Sequence, residues 1–237
     1  MSIAENVARI RADIAAAAIA AGRDPAEITL CAATKMNDAS RVREAIAAGV
    51  TCCGENRVQE LTQKLSENAY EGSALHFIGH LQTNKVKAVV GKVSLIQSVD
   101  SLRLLEAISK EAVKQGIVQD ILLEINIGEE ASKTGFGLQD ILPLLENLAQ
   151  YPAIRVRGLM AIPPICQNKG DNDKFFDEIR KLSVDIKAKK YDNVCMEILS
   201  MGMSDDYEDA IAHGSTMIRI GTAIFGARNY APAPPMG

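Results

Sequence analysis

The chain has no tryptophan, only three histidines and few aromatic side chains, which make up 4% of its 237 residues. A core of this composition has to be built mainly from aliphatic side chains. Long apolar runs are missing as well, since the longest, residues 14–21, is far shorter than the roughly 20 residues that a membrane-spanning helix needs. Charged residues interrupt the amino-terminal segment, whereas a secretory signal has an unbroken apolar stretch. We therefore expect neither a signal peptide nor a membrane as partner.

An excess of basic residues is also lacking. Asp and Glu total 30 against 26 for Lys and Arg, and the net charge of -4 argues against nucleic acid as a partner, because binding a phosphate backbone usually requires a clustered basic surface. None of the five cysteines is separated from another by two residues, so the sequence offers no zinc or redox motif of that type. A set of reduced thiols fits this pattern, and we expect a cytoplasmic protein without a bound metal.

Short β-like runs alternate with amphipathic helical stretches along most of the chain. A leading helix is predicted from Ser2 and Glu5, which form a capping-box pattern in front of apolar residues at helical spacing. Eight further units imply a parallel sheet, and the chain length is close to the roughly 250 residues of one (β/α)8 barrel. We predict a (β/α)8 TIM barrel with an additional N-terminal helix over residues 1–227 and a flexible tail over 228–237. An open doubly wound sheet is the competing prediction.

The predicted strands are short and apolar, and most are rich in β-branched residues. They are Ile28–Thr34, Val50–Gly54, Leu75–Gly79, Leu95–Val99, Ile121–Ile127, Val156–Ile162, Val194–Ser200 and Met217–Gly221. Helix patterns lie between them, for example Asp38–Ala48 and Asp100–Gln115, each of which opens with an aspartate that can cap it and ends before a glycine.

Two places in this pattern carry the chemistry. Lys35 follows the first strand directly, and Gly221 with Thr222 follows the core of the last. In a closed barrel these strands are neighbours, so the amine would face a glycine turn whose backbone amides can approach a phosphate. An amine at the mouth of an apolar barrel is partly desolvated, which leaves some of it neutral and able to attack an aldehyde. The pair suggests a phosphorylated aldehyde; a lysine that merely reaches into water and a tight glycine turn are the alternatives.

Arg219 lies between Ile218 and Ile220 in the last predicted strand, so its side chain should point to the opposite face from both neighbours. If the two isoleucines face the helices, the guanidinium points into the barrel. A buried charge there needs a partner, and a carboxylate or a heteroaromatic ring nitrogen would serve.

The segment after the seventh strand contains Ser204–Asp206, which we predict to cap the next helix. Two carboxylates at that helix start disfavour a phosphate in the same place. We therefore assign the phosphate contact to Ser200 and to the amides of Gly221 and Thr222.

Six segments, spread over nearly the whole chain, carry a more specific signal through their order and spacing. They are Ala33–Lys35, Gly54–Glu60, His76–Lys85, Ser132–Phe136, Leu199–Asp206 and Arg219–Gly226. Together they resemble the pyridoxal phosphate homeostasis proteins, single barrels similar to the amino-terminal domain of bacterial alanine racemase. Leu75 and Arg57 depart from the family pattern, which usually has an aromatic residue at the first position and often a tyrosine at the second.

The resemblance implies that the cofactor is pyridoxal 5'-phosphate (PLP) and that Lys35 forms a Schiff base with it. It also implies that Ser200, Gly221 and Thr222 hold the phosphate, and that Asn56 lines the ring. By the same resemblance Arg219 would lie at the pyridine nitrogen and keep it unprotonated. An unprotonated ring is a poorer electron sink, which disfavours carbanion chemistry.

The resemblance further implies a role in intracellular PLP homeostasis, in which the protein holds PLP, limits the free aldehyde and supplies apoenzymes. Racemisation needs a base on each face of the cofactor, and alanine racemase takes the second from another domain. We expect no such domain after Gly226, and hence no catalytic residues and little or no turnover. The expected partners are PLP and apoenzymes, and we expect a monomer, with a dimer as the alternative.

Two other functions stay open at this point. One is a PLP-dependent amino-acid racemase or lyase of weak activity that uses Lys35 as one base. The other is a barrel that acts on a phosphorylated sugar without a cofactor, with Lys35 in Schiff-base catalysis.

Overall fold

Eight parallel strands pair in chain order, and the ring closes where the last strand pairs with the first. The computed structural model describes residues 1–128, 134–164 and 168–226. The strands are β1 (Thr29–Ala33), β2 (Cys52–Glu55), β3 (Ala74–Phe77), β4 (Leu95–Val99), β5 (Gln119–Ile125), β6 (Ile154–Ala161), β7 (Val194–Ser200) and β8 (Met217–Ile220). The helices are α1 (Ile3–Ala20), α2 (Ala39–Ala47), α3 (Val58–Ser66), α4 (Leu102–Gln115), α5 (Leu138–Glu146), α6 (Asp173–Lys189), α7 (Tyr207–Ala212) and α8 (Thr222–Phe225).

The closed ring confirms the predicted (β/α)8 barrel with an extra N-terminal helix and excludes the open sheet. Every predicted strand overlaps an observed one, with bounds that differ by at most 2 residues. The tail predicted over 228–237 lies outside the described residues, and that prediction remains untested. Within the described ranges, no helix combines the length and the hydropathy that crossing a membrane requires.

Helix α1 begins as its sequence predicts. Ser2 accepts a hydrogen bond from the backbone N–H of Glu5, whose carboxylate in turn accepts from the backbone N–H of Ser2. The predicted apolar stripe is buried; its members are Ile3, Val7, Ile10, Ile14 and Ala18.

The start of helix α4 differs from the prediction. Ser101, and not Asp100, is the capping residue, since the Ser101 hydroxyl accepts from the backbone N–H of Leu104. The Asp100 carboxylate instead accepts from the Ser101 hydroxyl and contacts His80 Nδ1 at 3.0 Å. At the other end, Gly116 stops the helix as expected, because its φ of 67° lies in the left-handed region.

The third unit of the alternation lacks an α-helix. A short 3-10 helix, Thr83–Ala88, takes that place between β3 and β4. The last unit is also short, because α8 has only 4 residues.

The chain compensates for the short α8 with its first helix. Helix α1 packs against α2, α7 and α8, and the Asn6 side-chain amide donates to the carbonyl of Ile224 at 2.9 Å. Arg41 of α2 also donates to the carbonyl of Phe225. The extra N-terminal helix therefore covers the seam where β8 meets β1.

The core has two parts. The larger one fills the space between the strands and the helices, and it contains Ile218 and Ile220 of β8. Two smaller clusters lie among side chains that point to the other face of the strands, inside the barrel; their buried members are Cys31, Cys52, Ile78 and Met217 in one, and Leu95, Leu122 and Met160 in the other. Side chains alternate along a strand, so polar residues two positions further along these strands also point into the barrel. They lie nearer to its carboxyl-terminal mouth.

Candidate functional site

Two places far apart in the sequence, both predicted to carry the chemistry, meet at the mouth of the barrel. Ala32 of β1 lies opposite Ile220 of β8, and a Cβ placed on Gly221 would come within 3.2 Å of the carbonyl oxygen of Ala33. Lys35 follows two residues later and is half-buried. The turn that carries Lys35 and the turn at Gly221 are therefore neighbours.

Hydrogen bonds between side chains and the main chain hold the Lys35 turn on both sides. The carbonyl before it, on Thr34, accepts from Lys64 Nζ at 2.8 Å, and the N–H after it, on Met36, donates to Glu60 Oε2 at 2.6 Å. Met36 has a φ of 61°, which a non-glycine residue adopts only when its surroundings impose it. Helix α3 supplies both partners and so fixes the direction in which Lys35 leaves β1.

Beneath this turn lies a buried ion pair that sequence reasoning did not find. Glu55, at the end of β2, pairs with Lys64 of α3 and is fully shielded from solvent. The same carboxylate accepts from the Thr34 hydroxyl at 2.6 Å and from the Tyr70 hydroxyl at 3.1 Å. A buried charge with this many partners is satisfied, so the network ties β1, β2 and α3 together.

Asn56, predicted to line a ring, follows β2 at the mouth. Its side-chain oxygen is buried and has no hydrogen-bond partner among the described residues. The turn after β3 approaches closely, since a Cβ on Gly79 would lie 2.2 Å from the Asn56 carbonyl oxygen. A buried polar atom without a partner is costly, and a ligand with a hydrogen-bond donor would satisfy it.

Arg219 points into the barrel, as the sequence predicts. It is 5% exposed, and its Nη1 donates to the carbonyl and the hydroxyl of Ser200 at 2.7 and 2.6 Å. Its Nη2 donates to the carbonyl of Ala161 at 2.9 Å. A guanidinium has five N–H donors, and these contacts use three. The direct protein acceptors are thus neutral oxygens and not the carboxylate that was one of the two expected partners, while a ring nitrogen as partner stays a prediction.

The charge of Arg219 is balanced by groups farther away. Burial lowers the pKa of the guanidinium, while Cys31, Glu124 and Asp206 act in the opposite direction. Glu124 lies on β5 and is 9% exposed, and burial raises the pKa of its carboxyl to about 7, with Asp100 adding to the rise and Arg219 opposing it. The sequence analysis did not identify Glu124, although it lies two residues after the inward-pointing Leu122 and therefore shares its face of β5.

Ser200 is fully buried at the end of β7. Its hydroxyl donates to Gln97 Oε1 at 2.6 Å and accepts from Arg219. The hydroxyl of Ser200 therefore already has protein partners. Its contact with a phosphate stays a prediction.

Gly221 and Thr222 stand where β8 passes into α8. Gly221 is half-buried and Thr222 is exposed, so solvent reaches this turn. The carbonyl of Gly221 accepts from the N–H groups of Ile224 and Phe225, which closes the turn. The first N–H groups of a helix have no hydrogen-bond acceptor within the helix, so they are able to bind an anion.

The predicted cap of α7 is only partly right. Helix α7 begins at Tyr207, directly after Asp206, but the Asp206 carboxylate accepts from the backbone N–H of Met203 at 2.7 Å and from Asn172 at 3.0 Å. It therefore closes the preceding loop and does not cap the helix. A cavity of about 430 Å³ beside this loop is lined by four carboxylates and one lysine, a charge balance that disfavours phosphate. Its lining residues are Asn168, Lys169 and residues 204–209.

Comparison with known proteins agrees with this geometry. Residues 3–229 match the family model of the alanine racemase N-terminal domain. The chain is 42% identical over 233 residues to the pyridoxal phosphate homeostasis protein of Pseudomonas aeruginosa, covering 98% of this chain and 99% of that protein. The protein of the same name from Escherichia coli K12 is 41% identical over 232 residues, covering 97% and 98% of the two chains.

A solved structure extends the match to three dimensions. PipY of Synechococcus elongatus, whose structure has PLP bound, superposes with a TM-score of 0.82 at 32% identity over 95% of this chain and 100% of that one. The sequence resemblance is thereby confirmed: this chain belongs to the family of pyridoxal phosphate homeostasis proteins, built on the alanine racemase N-terminal domain.

Proposed function

We propose that this chain binds PLP for intracellular PLP homeostasis: it holds the cofactor as a Schiff base on Lys35, limits free PLP and supplies apoenzymes, without catalytic turnover. The observation that carries the proposal is the closure of β8 onto β1, which makes the Lys35 turn and the Gly221 turn neighbours. PLP supplies an aldehyde for an amine and a phosphate for backbone amides when it is bound.

The chain's residues divide this task among them. Lys35, half-buried at the mouth, presents the amine that reacts with the aldehyde. The amides of Gly221 and Thr222 bind the phosphate, and Ser200 joins them if its hydroxyl turns away from Gln97. Asn56 contacts the ring through the side-chain oxygen that has no partner among the described residues. This orphaned atom is the local sign that the pocket fits a ligand.

Arg219 is the residue that argues against turnover. Its guanidinium has donors beyond the three that Ser200 and Ala161 use, and it would hold a fixed positive charge at the pyridine nitrogen of bound PLP. A cation there prevents protonation of the ring and makes it a poor electron sink. The relatives are also named for homeostasis, not for a reaction.

A weak racemase or lyase activity is the second candidate, and Glu124 is the observation that favours it. A buried carboxyl with a pKa of about 7 is able to give and take a proton near neutral pH. We propose further that the protein acts as a cytoplasmic monomer and that its partners, besides PLP, are PLP-dependent apoenzymes.

The decisive experiment identifies the lysine. Protein purified from vitamin-replete cells should be yellow, and borohydride reduction followed by peptide mass analysis should place the modification on Lys35. Lys35→Arg keeps the positive charge but cannot form the Schiff base, so it should be colourless. Lys92→Ala, which removes an exposed lysine, should keep both the colour and the modification.

Three results would count against the proposal. Modification of another lysine would reject the assignment of Lys35. Protein that stays colourless after PLP is added would reject cofactor binding altogether and would favour the phosphorylated-sugar alternative. Racemisation or decarboxylation of amino acids with many turnovers per protein, lost in Glu124→Gln, would reject the non-catalytic role and support the second candidate.

A further inference from the structure

Three side chains with metal-binding atoms converge inside the barrel. Cys31 of β1 and Cys52 of β2 lie directly opposite each other in the strand register, and His76 comes from β3. The two sulfurs and an imidazole nitrogen all lie within 4.8 Å of one another, and Cys52 Sγ is 3.3 Å from His76 Nδ1. Sequence reasoning excluded a zinc motif because it considered spacing along the chain, whereas these residues meet across three strands.

The cluster is closed to solvent. The exposed fractions of Cys31, Cys52 and His76 are 0%, 3% and 7%. Met217 belongs to the same buried cluster as both cysteines, and its thioether sulfur lies 3.1 Å from the amide nitrogen of Gln97. The surroundings therefore offer soft sulfur atoms and one imidazole, with no carboxylate in the cluster.

A chain of hydrogen bonds orients the His76 ring. Arg219 donates to Ser200, Ser200 donates to the oxygen of Gln97, and the Gln97 amide nitrogen lies 2.9 Å from His76 Nδ1. Because an amide NH2 group only donates, Nδ1 is the acceptor in this contact. An ion bound at Nδ1 takes the lone pair that otherwise accepts from Gln97, so metal binding replaces this hydrogen bond.

We propose that Cys31, Cys52 and His76 form a buried site for Cu(I), with the Met217 thioether at its edge. Binding forms two Cu–S bonds and one Cu–N bond and releases the two thiol protons to solvent, with no change in oxidation state. The resulting centre carries one negative charge. Arg219, the register partner of Cys31, supplies a positive charge beside it.

Coordination chemistry favours Cu(I) over Zn(II) at this site. Structural zinc sites are almost always tetrahedral and take Cys, His or carboxylate ligands, whereas the fourth group here is a thioether. Thiolate and thioether sulfurs select Cu(I). Metal–sulfur bonds of about 2.3 Å in a trigonal site separate the sulfurs by about 4 Å. Ligand atoms that all lie within 4.8 Å of one another are compatible with such a site.

The test is a competition titration of the reduced protein under anaerobic conditions, with Cu(I) held by a coloured chelator. We expect the wild-type protein to withdraw one equivalent of Cu(I) and the Cys31→Ser/Cys52→Ser variant to lose this capacity. Cys53→Ser is the matched control: Cys53 is buried beside Cys52 but faces Ser73, whose hydroxyl donates to its sulfur at 3.4 Å. This control should bind Cu(I) like the wild type.

X-ray absorption on the copper-loaded wild type gives a second test, which does not depend on any variant folding correctly. We expect two sulfur ligands and one nitrogen ligand, with or without a longer thioether contact. Copper retained by the double variant, no binding by the wild type, a preference for Zn(II) in a parallel titration, or a spectrum without nitrogen would each overturn the proposal. So would a Cys31–Cys52 disulfide in protein that was kept reduced throughout.

Discussion

Glu124 shows at the scale of one residue how the barrel interior changes an ordinary side chain. Burial holds its carboxyl in the protonated form up to a pH of about 7, whereas an exposed glutamate ionises near pH 4.5. As the pH rises through this window, the unfolded chain ionises first and unfolding becomes easier. The folded protein should therefore lose stability between about pH 4.5 and 7, on the order of 3 kcal/mol from this group, and the loss should level off above pH 7.

Glu124→Gln should remove this pH dependence, because the amide does not titrate. Urea unfolding at several pH values should show the variant gaining stability relative to the wild type as the pH rises from 5 to 7 (on the order of 3 kcal/mol at most). Glu178→Gln, on the exposed face of α6, is the control and should leave the difference flat. A flat difference for Glu124→Gln as well would mean that Glu124 titrates like an exposed glutamate.

Single residues also differ in how far the sequence predicts them. Lys35 and Gly221 stand at strand ends, so their positions follow once the barrel is predicted. The inward direction of Arg219 follows from its two isoleucine neighbours. Gln97 lies inside an apolar strand with no local sign of its role, since its partners His76 and Ser200 come from other strands.

At the scale of elements, helix α3 positions the lysine turn through Lys64. Lys64→Met should leave Glu55 as a buried charge without its cation and should free the carbonyl of Thr34. We expect a loss of about 3–5 kcal/mol in the free energy of unfolding. The double variant Glu55→Gln/Lys64→Met should recover part of this loss, because no unpaired charge remains. Equilibrium urea unfolding measures both.

Lys169→Met is the matched control for this prediction. Lys169 pairs with Glu208 at 3.3 Å, but both side chains are exposed, and surface pairs contribute about 1 kcal/mol or less. The slower uptake of added PLP that we expect in Lys64→Met, and not in the control, would show that the ion pair also orients Lys35. A Lys64→Met protein as stable as the control would contradict the prediction.

Strands are easier to predict from this sequence than the length of the helical segments or the contacts between elements. The eight strands are visible because each is a short apolar run between polar helix patterns. The 3-10 helix Thr83–Ala88 was counted as one more helical unit, since alternation alone does not distinguish a helix of one or two turns from a longer one. The ion pair of Glu55 and Lys64 escaped because its members lie 9 residues apart, a spacing that no periodic pattern marks.

At the scale of the whole molecule, α1 is part of the barrel and not an appendage. Ile10→Ala removes a side chain that is 1% exposed and should cost about 2–5 kcal/mol. Ile19→Ala, in the same helix but 67% exposed, should change stability by less than about 0.5 kcal/mol. If the barrel unfolds as one unit, circular dichroism and the visible PLP band should report the same transition for both.

A separate early transition of α1 in Ile10→Ala, with the PLP band unchanged, would contradict this view. The sequence predicted the extra helix and the barrel, but not that this helix covers the seam left by the short α8. That contact joins residues more than two hundred positions apart, and only the closed ring makes them neighbours.

The order of synthesis gives this seam a biological cost. Helix α1, with its apolar stripe, leaves the ribosome well before α7 and α8, two of the helices that it packs against. At ordinary translation speeds of about 5–20 residues per second, that stripe waits roughly 10–40 seconds for these partners. The nascent chain therefore carries α1 without these two partners during that interval, and the ring closes only after β8 has emerged.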